Sequence, residues 1–320
     1  MNSNVCCPEK EENKILSGFR DFRLEDKALV ESFTKPWELE CSDMSFANLF
    51  IWGADNKIQF TVEDEVLYIK LTFKGFKEFF WPPIPKKDSD FDYGKIINRC
   101  FDYLESRGTE PVVKNMCEPF TTMLRENNPE FYIEPLEIAW DYVYSREKLA
   151  ELKGKKLHGK RNHINKFMLD HPDWEYKKIT PDVYDRCIGV YDDWKAKKIM
   201  DETEYENERR SVTLAINNME ELGLTGGVII FDGAIQAFTI GEQINHNTQL
   251  IHIEKADGSV NGLFPIINRE YVQHECKNVE FINREEDMGV EGMRKAKRSY
   301  HPDHMVEKYS VYKFKPETEE

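Results

Sequence analysis

Two segments of this 320-residue chain combine residue types that can bind an anion and move a proton. The first is residues 278–302, NVEFINREEDMGVEGMRKAKRSYHP, which passes from an apolar stretch through five consecutive polar residues to a basic run that ends at Tyr300. A tyrosine hydroxyl held in a cleft can return a proton to the leaving group of a thioester or ester, which acyl transfer requires. Tyr300 is therefore a candidate general acid.

The polar part of this first segment is a candidate cleft wall. The pattern predicts a strand over 279–282, a charged loop and a short helix after Gly289, and α/β enzymes tend to place ligand groups where a strand ends before a helix N-terminus. The alternative is a solvated surface turn, with the cations of the short helix complementing its dipole. The candidate cleft residues are Asn283, Arg284, Glu285, Asp287, Gly289, Arg294, Lys295 and Lys297.

The second segment, residues 153–166 (KGKKLHGKRNHINK), is basic and contains no acidic residue. Leu157, Ile164 and Phe167 recur at helical spacing, so the basic side chains project from the other faces of a helix. One interpretation is a site for phosphate or carboxylate, in which the arginine is the best bidentate donor. The other is a solvated face that pairs with the acidic run at 201–208. The candidate anion ligands are Lys155, Lys156, Lys160, Arg161 and Lys166.

Composition narrows the class of protein. The formal net charge of −15 opposes a main role in coating nucleic acid, so we expect no DNA partner, although a local basic patch can still bind an anion. We expect a cytoplasmic protein with no transmembrane segment, because no apolar run is long enough and residues 1–14 lack a signal-peptide pattern. The seven cysteines and eight histidines show no metal-ligand spacing, so we expect no metal, and His252 is interpreted as a hydrogen-bonded strand histidine.

The hydrophobic pattern predicts the same order of elements twice. Residues 58–144 favour three strands, a helix, a strand, a second helix and further extended runs. The first of these helices carries an apolar stripe of Ile96, Ile97, Cys100, Phe101 and Leu104. A similar order recurs over 225–314, with strands at 225–231 and 234–242 joined at the hairpin turn signal Asp232-Gly233 and one alternating strand at 306–314. Residues 146–222 favour helices. We therefore predict an α/β (α+β) protein with a mobile leader at 1–17, an N-terminal domain at 18–145 and a C-terminal domain at 146–320.

This order of elements resembles the GNAT-type N-acyltransferase fold, and its doubled form resembles the Fem-type peptidyltransferases and the phosphatidylglycerol lysyltransferase C-terminal domain superfamily. The motifs KKLHGKRNHINKF (155–167) and INREEDMGVEGMRKAKRSYHP (282–302) look like the signature of a bacterial branch of that superfamily whose members are mostly uncharacterised. The resemblance covers residues 19–314. It implies two tandem GNAT-like domains, each with a mixed, mostly antiparallel central sheet flanked by helices.

The resemblance also implies where an acyl donor would bind. In GNAT domains the pantetheine and pyrophosphate lie where the fourth strand splays from the fifth, with phosphate held by amides of the following helix N-terminus. Here Lys255, Gly258, Asn261 and Gly262 would take that position, while Asp257 departs from the family pattern and would repel a pyrophosphate. The donors implied are a coenzyme A thioester or an aminoacyl-tRNA, whose acceptor end the basic helix would contact.

Two glutamates on neighbouring predicted strands, Glu254 and Glu242, are candidate bases for an attacking amine, and the resemblance places Tyr300 where GNAT enzymes often have a general-acid tyrosine. The same glutamates could equally be structural partners of Arg284 or Arg294.

The leading hypothesis is an acyl- or aminoacyl-transferase whose acceptor is an amine or hydroxyl on a small molecule, peptide or lipid. The rival is a non-catalytic member of the superfamily that binds an anionic ligand or a protein partner. A third hypothesis, a lipid-modifying enzyme at the membrane face, ranks below both.

Overall fold

The computed structural model describes residues 15–53, 57–72, 77–196 and 202–316. They form two mostly antiparallel sheets flanked by helices, which confirms the predicted α/β (α+β) class. Residues 1–14 of the predicted leader lie outside the described part of the chain, and Leu16 is buried in the first hydrophobic core.

The first sheet takes most of its strands from the N-terminal half of the chain. The strand Val66–Leu71 of this sheet is buried along its whole length. It includes Lys70, whose Nζ pairs with Glu78 at 2.7 Å. The strands are β1 (Arg20–Asp21), β2 (Gln59–Glu63), β3 (Val66–Leu71), β4 (Phe79–Phe80), β5 (Ile84–Pro85), β6 (Val112–Met116), β7 (Tyr132–Pro135) and β15 (Tyr309–Tyr312). Their order is β1-β2-β3-β4-β6-β15-β7, with β5 paired to β3.

The second sheet is centred on a long hairpin. Asp232 and Gly233 both have positive φ, as a two-residue hairpin turn requires, and they join the two strands that the sequence predicts on either side. The strands are β8 (Asp141–Ser145), β9 (Glu175–Lys178), β10 (Thr225–Phe231), β11 (Ala234–Gln243), β12 (Thr248–Ala256), β13 (Phe281–Asn283) and β14 (His304–Val306). Their order is β14-β8-β13-β12-β11-β10-β9.

Helices cover both sheets with apolar stripes. The predicted stripe of Ile97, Cys100, Phe101 and Leu104, for example, is fully buried. The helices are α1 (Lys27–Thr34), α2 (Phe46–Gly53), α3 (Tyr93–Ser106), α4 (Phe120–Asn127), α5 (Arg146–Glu151), α6 (His158–Asp170), α7 (Tyr184–Ala196), α8 (Glu202–Asn217), α9 (Met219–Leu222), α10 (Leu263–Glu275) and α11 (Glu291–Arg298). Short 3-10 helices lie at Leu24–Asp26, Lys35–Trp37, Ser42–Met44, Glu137–Ala139 and Pro181–Val183.

The two sheets exchange strands. Strand β8 follows β7 in the chain but pairs with β13 and β14 in the second sheet, whereas β15 returns to the first sheet between β6 and β7. The prediction of one strand over 306–314 is therefore wrong, because the chain changes sheets between β14 and β15. The predicted domain division at residues 145 and 146 stays a prediction. The first sheet contains β15, which lies on the C-terminal side of this division, and the second sheet contains β8, which lies on its N-terminal side.

A buried ion pair fixes the crossing between β14 and β15. Lys308 is fully buried, and its Nζ lies 2.8 Å from Asp141 Oδ1 and 2.6 Å from Asp43 Oδ2. Burial alone would lower the pKa of Lys308, but the two carboxylates raise it well above its ordinary value. Asp141, the first residue of β8, also accepts hydrogen bonds from Ser42 N at 2.9 Å and Asn283 Nδ2 at 3.1 Å. The charge cluster therefore ties β8, β13 and the start of β15 together.

The connection between the halves, residues 146–222, is mainly helical, as predicted. The exception is β9 at the edge of the second sheet, whose EYKK sequence lacks apolar alternation and so gives no strand signal. Among the described residues, none of the helices has both the length and the apolar character needed to cross a membrane.

Replacing Lys308 with Met should lower the free energy of unfolding by about 3–5 kcal/mol, because Asp141 and Asp43 would stay buried without their counter-charge. Urea denaturation followed by tryptophan fluorescence measures the loss. Lys313→Met is the matched control: its pair with Glu105, at 2.8 Å, is partly exposed, and its removal should cost less than about 1 kcal/mol. Equal losses in the two variants would contradict the structural role given to Lys308.

Candidate functional site

The candidate site begins where two parallel strands part. Strands β12 and β13 pair from Thr248↔Phe281 to Leu250↔Asn283, and beyond that point β12 continues to Ala256 while β13 ends. Two side-chain pairs bridge the opening, His252 with Glu285 at 3.1 Å and Glu254 with Arg284 at 2.9 Å. The splay is thus filled by charged side chains from β12 and from the loop that follows β13.

A β-bulge places His252 at the edge of this opening. Ile240 of β11 pairs with Ile253, but the next residue, Gly241, pairs with Ile251, so His252 has no partner in the ladder. Bulges re-aim side chains and occur often beside active sites. The bulge explains why the His252 side chain, which is fully buried, can reach carboxylates on two different elements.

His252 lies between two carboxylates. Its Nε2 is 3.1 Å from Glu242 Oε1 and its Nδ1 is 3.1 Å from Glu285 Oε1, while Ser45 donates a hydrogen bond to Glu242. Burial alone would lower the pKa of His252, but the bonds to Glu242 and Glu285 outweigh it and raise the pKa to about 9. At neutral pH the imidazole is protonated, so it cannot serve as a general base. Glu242, a predicted base, is held in this network.

Glu254 anchors a second cluster. Its Oε1 accepts a hydrogen bond from Arg284 Nη2 at 2.9 Å, and its Oε2 accepts one from Asn268 Nδ2 at 2.9 Å. Two polar atoms of these partners, Arg284 Nη1 and Asn268 Oδ1, are buried without a hydrogen-bond partner among the described residues. The bond to Glu254 fixes the orientation of the Asn268 amide, so its oxygen faces away from the carboxylate. An unused donor and an unused acceptor therefore flank one glutamate.

Two cations of the same cluster lie over the aromatic ring of Tyr300. The Arg284 guanidinium carbon is 5.0 Å and Lys160 Nζ is 4.1 Å from the centroid of its ring, which also packs edge-on against Tyr144. Burial raises the pKa of Tyr300 to about 12. Burial, with the Arg284 charge, lowers the pKa of Lys160 to about 8. Two cations face the one carboxylate of Glu254, so the cluster favours an anion or a polarised carbonyl oxygen.

Of the basic-segment candidates, Lys160 alone reaches this cluster. Arg161 donates to the carbonyls of Leu152 and Gly154, the latter at 2.8 Å, and so holds the end of α5, while Lys166 pairs with Asp170 at 2.9 Å. Lys155 and Lys156 are exposed just before α6. The alternative pairing with the acidic run at 201–208 is absent from the described ion pairs of α6, and Asp201 lies outside the described residues.

The remaining cleft candidates mainly build the loop after β13. Asn283 donates to Glu40 O at 2.9 Å, and Lys297 donates to the backbone carbonyls of residues 284–286. Asp287 accepts from Arg294 Nε at 2.8 Å and from Gly289 N at 2.9 Å. Lys295 is exposed. These contacts hold Arg284 and Glu285 toward β12.

A family model described as "Phosphatidylglycerol lysyltransferase, C-terminal" matches residues 35–312 of the chain. The chain belongs to this family. A curated relative, an uncharacterised protein of Mycoplasmoides gallisepticum, is 23% identical over 176 residues, which are 55% of this chain and 56% of that protein. The chain thus matches about half the length of this curated relative.

Solved structures agree in fold. A conserved protein of unknown function from Bacteroides thetaiotaomicron is 36% identical, with a TM-score of 0.83 over 92% of this chain and 98% of that chain. L-PGS from Bacillus licheniformis is 13% identical, with a TM-score of 0.63 over 92% and 93% of the two chains. A tandem GNAT protein from the clavulanic acid biosynthesis pathway is 10% identical, with a TM-score of 0.51 over 94% and 99%. The predicted tandem GNAT-like fold is confirmed.

In this member of the phosphatidylglycerol lysyltransferase C-terminal family, the residues at the N-terminus of α10 do not fit a coenzyme A pyrophosphate. Helix α6 covers that end: a Cβ on Gly262 would lie 2.3 Å from His163 O, and Asn261 Oδ1 is 2.6 Å from His163 Nδ1. Pro265 removes one amide donor from the first turn. Gly258 lies in an exposed turn, and Lys255 Nζ pairs with Glu208 at 2.5 Å.

Sequence reasoning missed two residues of this family member's site, Asn268 and Ser45. Asn268 carries a usable signal, because it lies on the buried face of α10, four residues after Phe264 and three before Tyr271, where a polar side chain needs a partner. Ser45 offers no comparable signal, since its partner Glu242 is 197 residues away in the chain.

Replacing His252 with Gln should destabilise this family member more at about pH 6 than at about pH 10. The folded-state pKa of about 9 lies above the ordinary value of 6.5, so the stabilisation is complete below 6.5 and is lost as pH rises through 9. The difference in unfolding free energy between wild type and variant should shrink by about 3 kcal/mol across that range. Urea denaturation at both pH values measures it.

His246→Gln serves as the control, because that histidine is largely exposed beside Glu38. We expect a small difference from wild type, because an exposed ion pair contributes little to stability. A loss in His252→Gln that is the same at both pH values would contradict the protonated state assigned to His252.

Proposed function

We propose that this protein transfers an aminoacyl group from aminoacyl-tRNA to an amine or hydroxyl acceptor. The observation that carries the proposal is the cluster around Glu254, in which an unused donor, Arg284 Nη1, and an unused acceptor, Asn268 Oδ1, are buried close to Lys160 and Tyr300. The family and the fold support an acyl- or aminoacyl-transferase in general terms.

The chemistry of an aminoacyl ester matches this pair of atoms. Its carbonyl oxygen accepts hydrogen bonds and becomes negatively charged in the tetrahedral intermediate, which Arg284 Nη1 and Lys160 would stabilise. Its α-ammonium group donates hydrogen bonds, for which Asn268 Oδ1 and the Glu254 carboxylate are acceptors. A plain acyl group would leave Asn268 Oδ1 without a donor.

Two side chains would move the protons. With a pKa of about 12, the Tyr300 hydroxyl is protonated at neutral pH and can give its proton to the ribose oxygen that leaves the ester. Glu254 has lone pairs left after its bonds to Arg284 and Asn268, so it would take the proton released by the attacking amine or hydroxyl. In this scheme Glu242 positions His252 and thereby Glu285.

The choice of tRNA over coenzyme A as donor rests on α6. The same helix that covers the N-terminus of α10 presents Lys160 to the cluster, and the exposed Lys155 and Lys156 precede it. Phosphates of a single-stranded acceptor end would meet these lysines while the ester enters the cluster.

A second candidate function is anion binding without catalysis. The observation that favours it is that two side-chain pairs, His252–Glu285 and Glu254–Arg284, bridge the opening between β12 and β13. A protein that only binds an anion would not need this opening to widen. The two functions differ in their need for the Tyr300 hydroxyl.

Tyr300→Phe should lower kcat for aminoacyl transfer by about 100-fold or more with little change in KM, because it removes the acid and keeps the ring under Arg284 and Lys160. The assay follows label from total tRNA charged with radioactive amino acids into lipid and peptide acceptor fractions. Tyr132→Phe, in the first sheet, is the matched control and should retain full activity.

Transfer by Tyr300→Phe at the wild-type rate would overturn the assignment of the acid. Binding of charged tRNA without transfer in the wild type would favour the second candidate function.

Lys155→Gln combined with Lys156→Gln should weaken tRNA binding and reduce the slope of log K against log salt by about 1 to 2, as expected for the loss of two phosphate contacts. Filter binding over a salt series measures both. Lys35→Gln with Lys95→Gln makes the same change in net charge near α1 and α3, and its slope should match wild type. A slope unchanged in the first double variant would exclude these lysines from the tRNA contact.

A further inference from the structure

Two buried cysteines are neighbours at a cavity that strands of both sheets line. Cys41 lies just before the 3-10 helix Ser42–Met44, and Cys117 directly follows β6. They have 2% and 1% of their surface exposed, and the Cys117 thiol lies close enough to change the pKa of the Cys41 thiol. Both residues line a cavity of about 290 Å³. Although they are 76 positions apart in the chain, the fold supplies the proximity that a disulfide requires.

The cavity gives a small molecule access to the two thiols. Its other walls come from β14 and from the start of β15. Glu118 and Glu307, which also line it, are exposed, so the cavity opens to solvent there. One water molecule needs about 10–15 Å³ of cavity, and about 290 Å³ is therefore ample for hydrogen peroxide. Burial does not seal this pair from a small oxidant.

The charge of the cavity favours a neutral oxidant. Three carboxylates line it, those of Glu40, Glu118 and Glu307, and no described lysine or arginine does. Glu40 pairs with His304 at 2.9 Å, while Glu118 and Glu307 have no ion pair among the described residues. A disulfide oxidant such as glutathione disulfide carries carboxylates, which these glutamates repel. Hydrogen peroxide is uncharged and is not repelled.

We propose that Cys41 and Cys117 form a reversible disulfide, with hydrogen peroxide as the oxidant. First the Cys117 sulfur attacks a peroxide oxygen: an S–O bond forms, the O–O bond breaks, and the departing hydroxide takes the thiol proton as water. Then the Cys41 sulfur attacks the sulfur of this sulfenic acid: the S–S bond forms, the S–O bond breaks, and the second hydroxide leaves as water with the Cys41 proton. Two thiols are oxidised, the peroxide is reduced to two waters, and a dithiol reductant reverses the linkage.

The surroundings of the two thiols assign their roles. Cys41 Sγ donates to Asp43 Oδ2 at 3.2 Å, and the neighbouring Cys117 thiol together with burial raises the pKa of Cys41 well above its ordinary value. Cys41 therefore keeps its proton until it attacks, and Asp43 can relay that proton to the departing hydroxide. Cys117 lies at the start of α4, where its carbonyl accepts from Thr121 N at 3.2 Å and the helix dipole favours a thiolate.

The other described cysteines lack a neighbouring thiol. Cys100 and Cys187 lie in the first hydrophobic core and Cys276 in the second. Within the described part of the chain, no second thiol acts on the pKa of any of the three. They therefore serve as internal controls for oxidation.

Oxidation of the pair would also constrain the junction between the sheets. Asp43, which accepts the Cys41 thiol, is the partner of Lys308 at 2.6 Å. The disulfide would tie the segment before Asp43 to the end of β6. Because the cross-link closes a long segment, it restricts the unfolded chain, and the melting temperature should rise by about 5 °C or more on oxidation.

Peroxide treatment of the folded full-length chain tests the disulfide. Cys6→Ser combined with Cys7→Ser supplies the background, so that only the five described cysteines can react. Remaining thiols are then blocked with a maleimide in denaturant, and mass spectrometry of the digest identifies linked peptides. We expect one linkage, Cys41 to Cys117, which dithiothreitol removes. The other three thiols should all carry maleimide.

Single variants test the roles of the two thiols. With peroxide, Cys41→Ser should retain a sulfenic acid at Cys117 that dimedone traps, whereas Cys117→Ser should give no adduct at Cys41. Cys187→Ser, which changes another buried cysteine, is the matched control and should form the disulfide at the background rate. Alanine variants at 41 and 117, checked for folding by circular dichroism, repeat the comparison without a buried hydroxyl.

The outcomes separate contact in the fold from chance reaction. The same treatment in urea should give mixed linkages, because the two thiols are then no longer neighbours. Five free thiols in the folded protein after peroxide would overturn the proposal, as would a Cys41–Cys117 linkage that forms equally well in urea. An adduct at Cys41 in Cys117→Ser would overturn the assigned roles. The assay uses no acyl donor, so its result is independent of the proposed function.

Discussion

The buried pair of Asp141 and Lys308 is the constraint on which both sheets and the candidate site depend. It lies where β8 enters the second sheet and where the chain leaves that sheet for β15, so it closes the exchange of strands. Asp141 also accepts from Asn283, whose own Oδ1 accepts from Glu285 N at 2.7 Å. Because Asn283 is the last residue of β13, the charge pair determines where β13 stops and how the next two residues are aimed.

The point at which β12 and β13 part is therefore determined by contacts that lie outside the candidate site. A strand that continued past Asn283 would pair with β12 and leave no opening, but the backbone turns at Glu285, which has a φ of +57°. Lys297 donates to the Arg284 and Glu285 carbonyls in this turn, and the Glu285 carbonyl also accepts from Tyr142 N at 3.1 Å. Arg284 and Glu285 can then reach across to Glu254 and His252. The geometry of the site is thus a consequence of strand termination more than of the side chains that fill it.

Local patterns predicted the parts of this architecture that depend on near neighbours. The strand Thr225–Phe231 has its predicted bounds because its apolar run ends at the Asp232-Gly233 turn. The prediction of one strand over 306–314 was wrong because alternation of apolar and polar residues indicates an extended segment but does not indicate which sheet that segment joins. Glu254 was placed beside Arg284 as one open alternative, but Asn268 was missed, since its contact with Glu254 depends on how α10 packs on β12. The pairing of Tyr300 with Lys160 likewise joins residues 140 positions apart.

The strongly negative net charge of the chain makes the cations close to Glu254 more important for binding an anion. A net charge of −15 repels phosphate at long range, so binding must come from cations close to the ligand, where screening by water is weak. The pKa of Lys160, lowered by burial and by Arg284 to about 8, lies below its ordinary value of 10.5. Protonated Lys160 therefore costs folding stability at neutral pH, and that cost disappears only as pH rises from 8 through 10.5. An anionic group placed between Lys160 and Arg284 would remove this cost and raise the pKa of Lys160 again. The repulsion between the two cations is therefore relieved when an anion or oxyanion binds.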